Sequence, residues 1–397
     1  MESPTTIDLF CGAGGITEGF RQAGFHCLFA NDVNANAVET FQYNHPSVKA
    51  VCAPVEKLSP KKIRQELGIE RGELDVLVGG PPCQGFSINA PERFVEDERN
   101  AMFRHYVRFL EEFAPKHFLF ENVPGMLSLA GGKIFRQIIS ELEERGYRTT
   151  ARILLSAHYG VPQVRWRLIL LGTQGGRALQ PPDPTHYFQA RANFTGGSSM
   201  IFRPLLLDEF RLLPAVTLRD AIFDLPALKA GEGLEEMKYT IPPKSEFAQE
   251  MRGESSVLFN HTANKLSQIN LDRLKFIPPG GAWVDIPHEM LPRGMKKARR
   301  SDHTKRYGRP KWSSLSGTMM TKCDPHWGAV FHPDQQRAFT VREAARIQSF
   351  PDCYRFLGSR VSQYEQVGNA VPVLMARAIA KTILESLPTP KYVAKNS

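Results

Sequence analysis

The segment Gly79-Gly80-Pro81-Pro82-Cys83-Gln84-Gly85-Phe86-Ser87 follows a short apolar run over residues 74–78. Paired prolines fix the backbone as it leaves a strand, and the glycines leave room for a ligand to approach. Cys83 is thereby expected on a loop at the carboxyl end of a parallel strand, where α/β proteins place their sites. A thiolate is a nucleophile, so Cys83 is a candidate for covalent catalysis if its surroundings activate it. The plain alternative for a lone cysteine is a small buried hydrophobe. A second apolar run ends Phe118-Leu119-Phe120-Glu121-Asn122-Val123-Pro124-Gly125, again with a carboxylate at a strand end. Glu121 among apolar neighbours can hold a proton for transfer; a helix cap or an ion pair would also account for it. In Gln163-Val164-Arg165-Trp166-Arg167, alternate residues of a strand point the same way, so Gln163, Arg165 and Arg167 can share a face. An arginine fork there matches a carbonyl, carboxylate or phosphate oxygen.

The N-terminal segment Ile7-Asp8-Leu9-Phe10-Cys11-Gly12-Ala13-Gly14-Gly15 reads as a strand feeding a glycine-rich turn and then a helix. Asp32 follows the next strand, where a carboxylate can grip the two hydroxyls of a ribose. The spacing is not G-x-G-x-x-G, which favours S-adenosyl-L-methionine over a dinucleotide; a purely structural tight turn is the alternative.

These residues need a scaffold, and the first 172 residues supply one. Strands are expected over 5–10, 25–30, 74–78, 117–120, 148–155 and 167–171, and helices over 14–23, 34–43, 100–113 and 133–145. Strands alternating with helices predict an α/β sheet covered on both faces. From about residue 175 to 338 the chain is rich in Pro and Gly and its periodicity weakens. A basic run there, from Lys296 through Arg309 and Lys311, is interleaved with Tyr307 and Trp312. It reads either as a solvated loop face or as a nucleic-acid surface. Regular helix returns after Ala338: Thr340 and Glu343 form a capping box for a helix over 341–349, and a strong helix covers 373–387.

Composition narrows the class. The 397 residues fit two or three domains at ~100–200 residues each. With 42% hydrophobic and 23% charged residues, disordered, collagen-like and coiled-coil classes are excluded. No apolar run approaches the roughly 20 residues of a bilayer span, and Met1-Glu2-Ser3-Pro4 begins no secretory signal. The net charge of +9 permits a polyanionic partner. The six cysteines lack the spacing of a disulfide scaffold, so the chain reads as a reduced, cytoplasmic protein. Cys323-x-x-His326 with His332 is a metal-like grouping, and ordinary loop residues are the favoured reading.

Taken together, the motifs resemble the cytosine-C5 DNA methyltransferase family. The matching segments are Asp8-Leu9-Phe10-x-Gly12-x-Gly14-Gly15, Pro81-Pro82-Cys83-Gln84-Gly85-Phe86-Ser87, Glu121-Asn122-Val123 and Gln163-x-Arg165-x-Arg167. They continue with Arg342-Glu343-Ala344-Ala345-Arg346-Ile347-Gln348-Ser349-Phe350-Pro351 and Gln366-Val367-Gly368-Asn369-Ala370-Val371-Pro372, in family order from Asp8 to Pro372.

The resemblance implies a Rossmann-like, S-adenosyl-L-methionine-dependent methyltransferase sheet. Residues 1–174 would form the catalytic and cofactor domain, 175–338 a smaller, irregular inserted target-recognition domain, and 339–397 a segment completing the first. It implies Cys83 as nucleophile, Glu121 as proton donor to N3, Arg165 on the O2 side of the base, and Gln163 and Arg167 beside them. Phe10, Cys11, Gly12, Ala13, Gly14, Gly15, Asp32, Val33, Pro81, Asn369 and Ala370 would line the cofactor. Gln84, Ser87, Arg165, Arg309, Lys311 and Lys322 would meet duplex DNA, with Arg342 and Arg346 orienting the recognition domain. No metal and no membrane are implied. The implied state is a monomer associated with DNA in the cytoplasm, with a cognate restriction endonuclease acting separately. A relative that methylates transfer RNA and a relative that only binds DNA are the competing readings; the Gln84-Gly85-Phe86-Ser87 sequence favours DNA, and retention of Cys83 and Glu121 favours an enzyme. One departure stands out. Many relatives carry an aspartate after the third strand to bind the adenine amino group, and Val51-Cys52-Ala53-Pro54-Val55 holds none.

Overall fold

The computed structural model describes residues 3–82, 101–190, 211–299, 305–323, 326, 328 and 330–388. Its centre is a seven-stranded sheet. The strands are β1 (Thr5–Leu9), β2 (His26–Asp32), β3 (Lys49–Cys52), β4 (Val76–Gly79), β5 (His117–Asn122), β6 (Tyr147–Leu155) and β7 (Trp166–Gln174). Their order across the sheet is β3-β2-β1-β4-β5-β7-β6. All neighbours are parallel except β7, which runs antiparallel to both β5 and β6. The helices between them are α1 (Gly15–Gln22), α2 (Ala35–Asn44), α3 (Pro60–Leu67), α4 (Ala101–Phe113) and α5 (Lys133–Glu143).

A parallel sheet is buried on both faces, so its strands are apolar throughout and alternate between two cores. Leu77, Phe118, Phe120, Leu168 and Leu170 face α4 and α5 on one side. Val76, Val78, Leu119, Ile169 and Leu171 face α1 and the C-terminal helix on the other. The strand order reverses between β1 and β4, which opens a crevice at the carboxyl edge of the sheet. The turn after β1, Pro81-Pro82 after β4 and Glu121 in β5 all lie on that edge. Antiparallel β7 brings its beginning, Trp166 and Arg167, to the same edge.

The C-terminal segment packs against one face of the sheet. It comprises α9 (Val341–Ile347), α10 (Arg360–Asn369) and α11 (Val373–Ser386); α6 (Leu218–Ile222), β10 (Gly233–Lys238), α7 (Glu246–Arg252), β11 (Val257–Thr262) and α8 (Gln268–Leu274) precede it, after the short pair β8 (His186–Tyr187) and β9 (Leu213–Pro214). The α1 and α11 helices cross closely at Gly19, where an added Cβ would stand 2.6 Å from Ala376 Cβ and 2.7 Å from the Val373 carbonyl oxygen. Residues 360–386 are long and apolar enough to cross a membrane, and 67% of their qualifying 18-residue stretch is buried in the protein. The run is two helices, broken at Ala370–Pro372, whose apolar residues Val373, Met375, Ile379 and Ile383 fill the main core.

Residues 175–338 do not pack as one body. Leu218, Ile222, Phe247, Met251 and Leu258 join the main core. A separate small core is built by Leu274, Ile277, Trp283, Ile286, Leu291, Met295, Tyr307 and Phe331. Helices α3 and α10 lie outside the elements expected from sequence. The first carries clear signals, with Ser59 capping, Pro60 in the first turn and Gly68 ending it in the left-handed region.

Candidate active site

The end of β4 lies so close to its neighbours β1 and β5 that side chains are excluded there. An added Cβ on Gly79 would stand 2.8 Å from the Leu9 carbonyl oxygen, and one on Gly80 would stand 2.8 Å from Glu121 Oε2. Asn122 Nδ2 donates to the Pro81 carbonyl at 3.0 Å, and Asn122 Oδ1 accepts from Val123 N at 2.9 Å. The prolines leaving β4 are thus tied to the strand that carries Glu121. Tyr106 of α4 points its hydroxyl at the carbonyls of Leu77 and Leu119, 3.1 Å from each, and so spans the same two strands. Cys83, Gln84 and Ser87 lie outside the described residues.

Glu121 faces Ile169 across the antiparallel ladder, and Arg167, two residues before it, is a diagonal neighbour on the same face. Arg167 Nε stands 2.7 Å from Glu121 Oε1, with both side chains about seven-eighths buried. Burial draws the Arg167 guanidinium down from its ordinary value, and Glu121 opposes that.

The expectation that Arg165 reaches the base and the DNA is corrected by its burial. Its side chain is 2% exposed. Nη1 donates to the Met319 carbonyl at 3.3 Å and Nη2 to the Gly368 carbonyl at 2.9 Å. Reaching a base would break two buried hydrogen bonds. Gln163 is also inside: Nε2 donates to Gln348 Oε1 at 2.8 Å, and Oε1 accepts from Met319 N at 2.8 Å. Gln348 in turn donates to the carbonyls of Val367 and Ala370. Gln163 and Arg165 therefore tie the start of β7 to the 316–320 segment and α10.

At the crevice between β1 and β4, three residues of the turn have positive φ: Phe10 at 59°, Gly12 at 53° and Gly14 at 91°. Asp32 holds the turn from β2: its Oδ2 accepts from Gly12 N at 2.9 Å and its Oδ1 from Asn34 N at 2.8 Å. Next to it Val33 is 68% exposed, an apolar surface unusual for a strand end. Gly15 lets the turn meet the C-terminal segment, since its added Cβ would lie 3.2 Å from Ala370 Cβ. Asn369 is exposed beside it. Cys11 and Ala13 are buried, so their main chain alone can face a ligand; burial raises the Cys11 thiol well above its usual value. Asp8, beneath the turn, accepts from Thr17 Oγ1 at 2.6 Å, and its other oxygen has no partner among the described residues. Burial, chiefly, raises Asp8 to about 7. Where the expected aspartate is missing, Cys52 is exposed, and Asn31 Nδ2 donates to the carbonyls of Val51 and Ala53.

In the basic segment, Arg309 is the second correction. It is buried, and its guanidinium donates to the carbonyls of His332, Pro333, Ile277 and Gln335. It closes the small core and is withdrawn from any DNA surface. Lys311 and Lys322 are exposed. Arg346 is enclosed by Asp224 and Asp352, at 2.5 and 2.6 Å, and donates to the Ala221 carbonyl. Arg342 donates to the carbonyls of Phe259, Pro351 and Tyr354. Both arginines thus join α9 to the 218–262 segment. His332 Nδ1 accepts from the backbone of Asp334 and Gln335, and Cys323 Sγ donates to the Phe339 carbonyl; these are loop-closing contacts.

The family model described as C-5 cytosine-specific DNA methylase matches residues 4–385. The chain belongs to that family. Among curated relatives, the type II methyltransferase M.AgeI of Thalassovita gelatinovora is 38% identical over 427 aligned residues, covering 95% of this chain and 98% of that one. The type II methyltransferase M.DdeI of Desulfomicrobium norvegicum is 34% identical, with 95% and 88% covered. A solved structure from an E. coli prophage, described as a DNA modification methyltransferase, aligns with a TM-score of 0.72 at 25% identity, covering 96% of this chain and 99% of that one. As a C-5 cytosine-specific DNA methylase, the chain is a methyltransferase dependent on S-adenosyl-L-methionine. The crevice suits that cofactor: Asp32 presents a carboxylate, Val33 an apolar surface, and the space beside Gly12 is open, with nothing within 4 Å of an added Cβ.

Four residues of this architecture carry no sequence signal that singles them out: Tyr106, Gln348, His45 and Tyr354. Gln348 lies inside a matching motif, so its position is visible in the sequence and its role is not. The other three are single residues whose contacts are made across the fold.

Proposed function

We propose that the chain methylates C5 of a cytosine at a specific site in duplex DNA, through a covalent adduct between Cys83 and C6. The Glu121–Arg167 pair, beside the Pro81-Pro82 rim that leads to Cys83, is the observation that most supports this reading. C5 of cytosine is a poor nucleophile. Addition of the Cys83 thiolate to C6 breaks the aromatic ring and makes C5 enamine-like. Glu121, paired with Arg167, takes up a proton from solvent and passes it to N3 as negative charge gathers there. Arg167, held against Glu121, meets O2 in place of Arg165. Asp32 would hold the ribose and Phe10 and Val33 the adenine of S-adenosyl-L-methionine, which when bound would supply the methyl group to C5 and leave as S-adenosylhomocysteine. Loss of the C5 proton to solvent then restores the C5–C6 double bond and expels the thiolate, and the N3 proton returns through Glu121. C6 is hidden in a stacked duplex, so the base is rotated out first.

Lys311 and Lys322, both exposed, would meet the DNA backbone, and Gln84 and Ser87 would face DNA beside Cys83. The resemblance to type II methyltransferases supports a cytoplasmic, monomeric enzyme paired with a separate restriction endonuclease.

The test is methyl transfer from labelled S-adenosyl-L-methionine to mixed-sequence duplex DNA and to transfer RNA, followed by cytosine-conversion sequencing. Label at one recurring DNA motif, lost in Cys83→Ala, is expected. Label on RNA alone, or full activity in Cys83→Ala, would overturn the reading.

A further inference from the structure

Beneath the glycine turn lies a buried polar chain that methyl transfer itself does not use. The Tyr354 hydroxyl donates to the carbonyl of Ala13 and lies 3.2 Å from His45 Nε2. One hydroxyl proton cannot serve both partners. With Ala13 receiving it, His45 Nε2–H donates to the Tyr354 oxygen, which fixes the imidazole tautomer. Phe41, Phe350 and Phe356 close the cluster with rings 4.8 to 5.5 Å from His45 or Tyr354. Burial lowers His45 to about 4 and raises the Tyr354 phenol, so both are neutral at physiological pH. The Tyr354 main chain is anchored in turn: its N–H donates to the Pro351 carbonyl at 3.0 Å, and its carbonyl accepts from Arg342.

The turn rests directly on this cluster. A Cβ on Gly14 would stand 2.7 Å from the Tyr354 oxygen, 2.9 Å from the Phe41 ring and 3.2 Å from His45 Nε2. Asp32 holds the neighbouring residue, Gly12, from the other side. Successive residues of the turn are therefore clamped by two elements, one from β2 and one from the segment after α9.

We infer that Tyr354, backed by His45, is a positioning residue for the cofactor: it holds the Ala13 carbonyl and so sets the shape of the 10–15 turn that receives S-adenosyl-L-methionine. This rests on the assignment of that turn as the cofactor seat. It also means that the seat is complete only after the chain has returned from the recognition segment, because Tyr354 is separated from Ala13 by 341 positions.

The experiment measures binding of S-adenosyl-L-methionine and S-adenosylhomocysteine to the full chain by calorimetry, with steady-state methylation alongside. Tyr354→Phe keeps the ring and removes the hydroxyl. It is expected to raise Kd and KM for the cofactor about tenfold, with kcat at saturating cofactor and Kd for DNA within twofold of wild type. His45→Gln, which keeps an N–H donor, is expected to weaken binding less than His45→Leu. Unchanged cofactor affinity in Tyr354→Phe, or equal effects of the two His45 variants, would overturn the inference. Asp32→Ala tests the seat separately. If it binds cofactor as wild type does, the seat assignment fails; if it loses binding while Tyr354→Phe does not, the positioning role alone fails.

Discussion

Glu121 Oε1 and Arg167 Nε stand 2.7 Å apart at the end of an antiparallel strand pair, and both side chains are largely withdrawn from water. A charged pair in such a setting is held in one geometry, because breaking it strands a buried charge. Arg167→Gln is therefore expected to lower kcat at least a hundredfold, a typical scale for positioned acid–base groups. Arg165→Gln is expected to act through folding instead, since it abandons the Met319 and Gly368 carbonyls, at about 1–3 kcal/mol per unsatisfied group. Thermal melting and single-turnover rates on both variants separate the two. An equal drop in melting temperature with equal rates would refute the assignment.

Asn122→Ala is expected to reduce kcat by a larger factor than it raises the cofactor Kd, to which Pro81 also contributes. Its side chain touches the Pro81 carbonyl rather than the cofactor turn. Freeing Pro81 loosens the rim leading to Cys83, and small misplacements of reacting groups cost rate steeply. A rise in cofactor Kd with kcat preserved would show that Asn122 serves the other half of the crevice.

The sheet and its chemical edge are legible in the sequence because each carrier is local: a short apolar run, then glycine, proline or a carboxylate. Alternation places Arg165 and Arg167 on one face. It does not say which meets Glu121, because that depends on the pairing of Glu121 with Ile169. Arg309 reads as part of a charge run, and four converging main-chain carbonyls withdraw it. The Gln163–Gln348 contact spans 185 positions and has no periodic signature. The recognition segment is hardest to read, since 218–258 packs into the main core while 274–331 builds its own.

Charge placement in that segment gives a salt-dependence prediction. Lys311→Ala with Lys322→Ala is expected to flatten the slope of log Kd against log salt for DNA by up to ~0.9 for each phosphate the lysines neutralise. Arg309→Ala is expected to lower the melting temperature and leave the slope unchanged in the folded fraction. A flatter slope for Arg309→Ala alone would return that residue to the interface.

Gly19→Ala tests how far the C-terminal helix belongs to the first domain. The new methyl would stand 2.6 Å from Ala376 Cβ and 2.7 Å from backbone atoms of α11, which cannot move aside as a flexible side chain can. Overpacking of this kind typically costs about 1–3 kcal/mol. A fall in denaturation midpoint, recovered in part by Ala376→Gly, is expected. An unaffected midpoint would mean that α11 docks loosely.

Asp8 gives the pH prediction. Its carboxyl is fully buried with one oxygen lacking a partner among the described residues, and burial raises it from 3.8 to about 7. The folded chain therefore holds this proton more tightly than the unfolded chain. Between about pH 4 and pH 7 the unfolded state binds fewer protons, so this group's contribution to stability is full below pH 4. It is lost as pH rises through 7 and constant above that. The gap corresponds to roughly 4 kcal/mol. Asp8→Asn exchanges no proton in this window. Measured without ligand, the variant's denaturation midpoint is expected to gain on wild type between pH 5 and pH 8. Parallel profiles across that range would mean that Asp8 is already ionised in the folded protein, with its second oxygen satisfied by water or by a group outside the described residues.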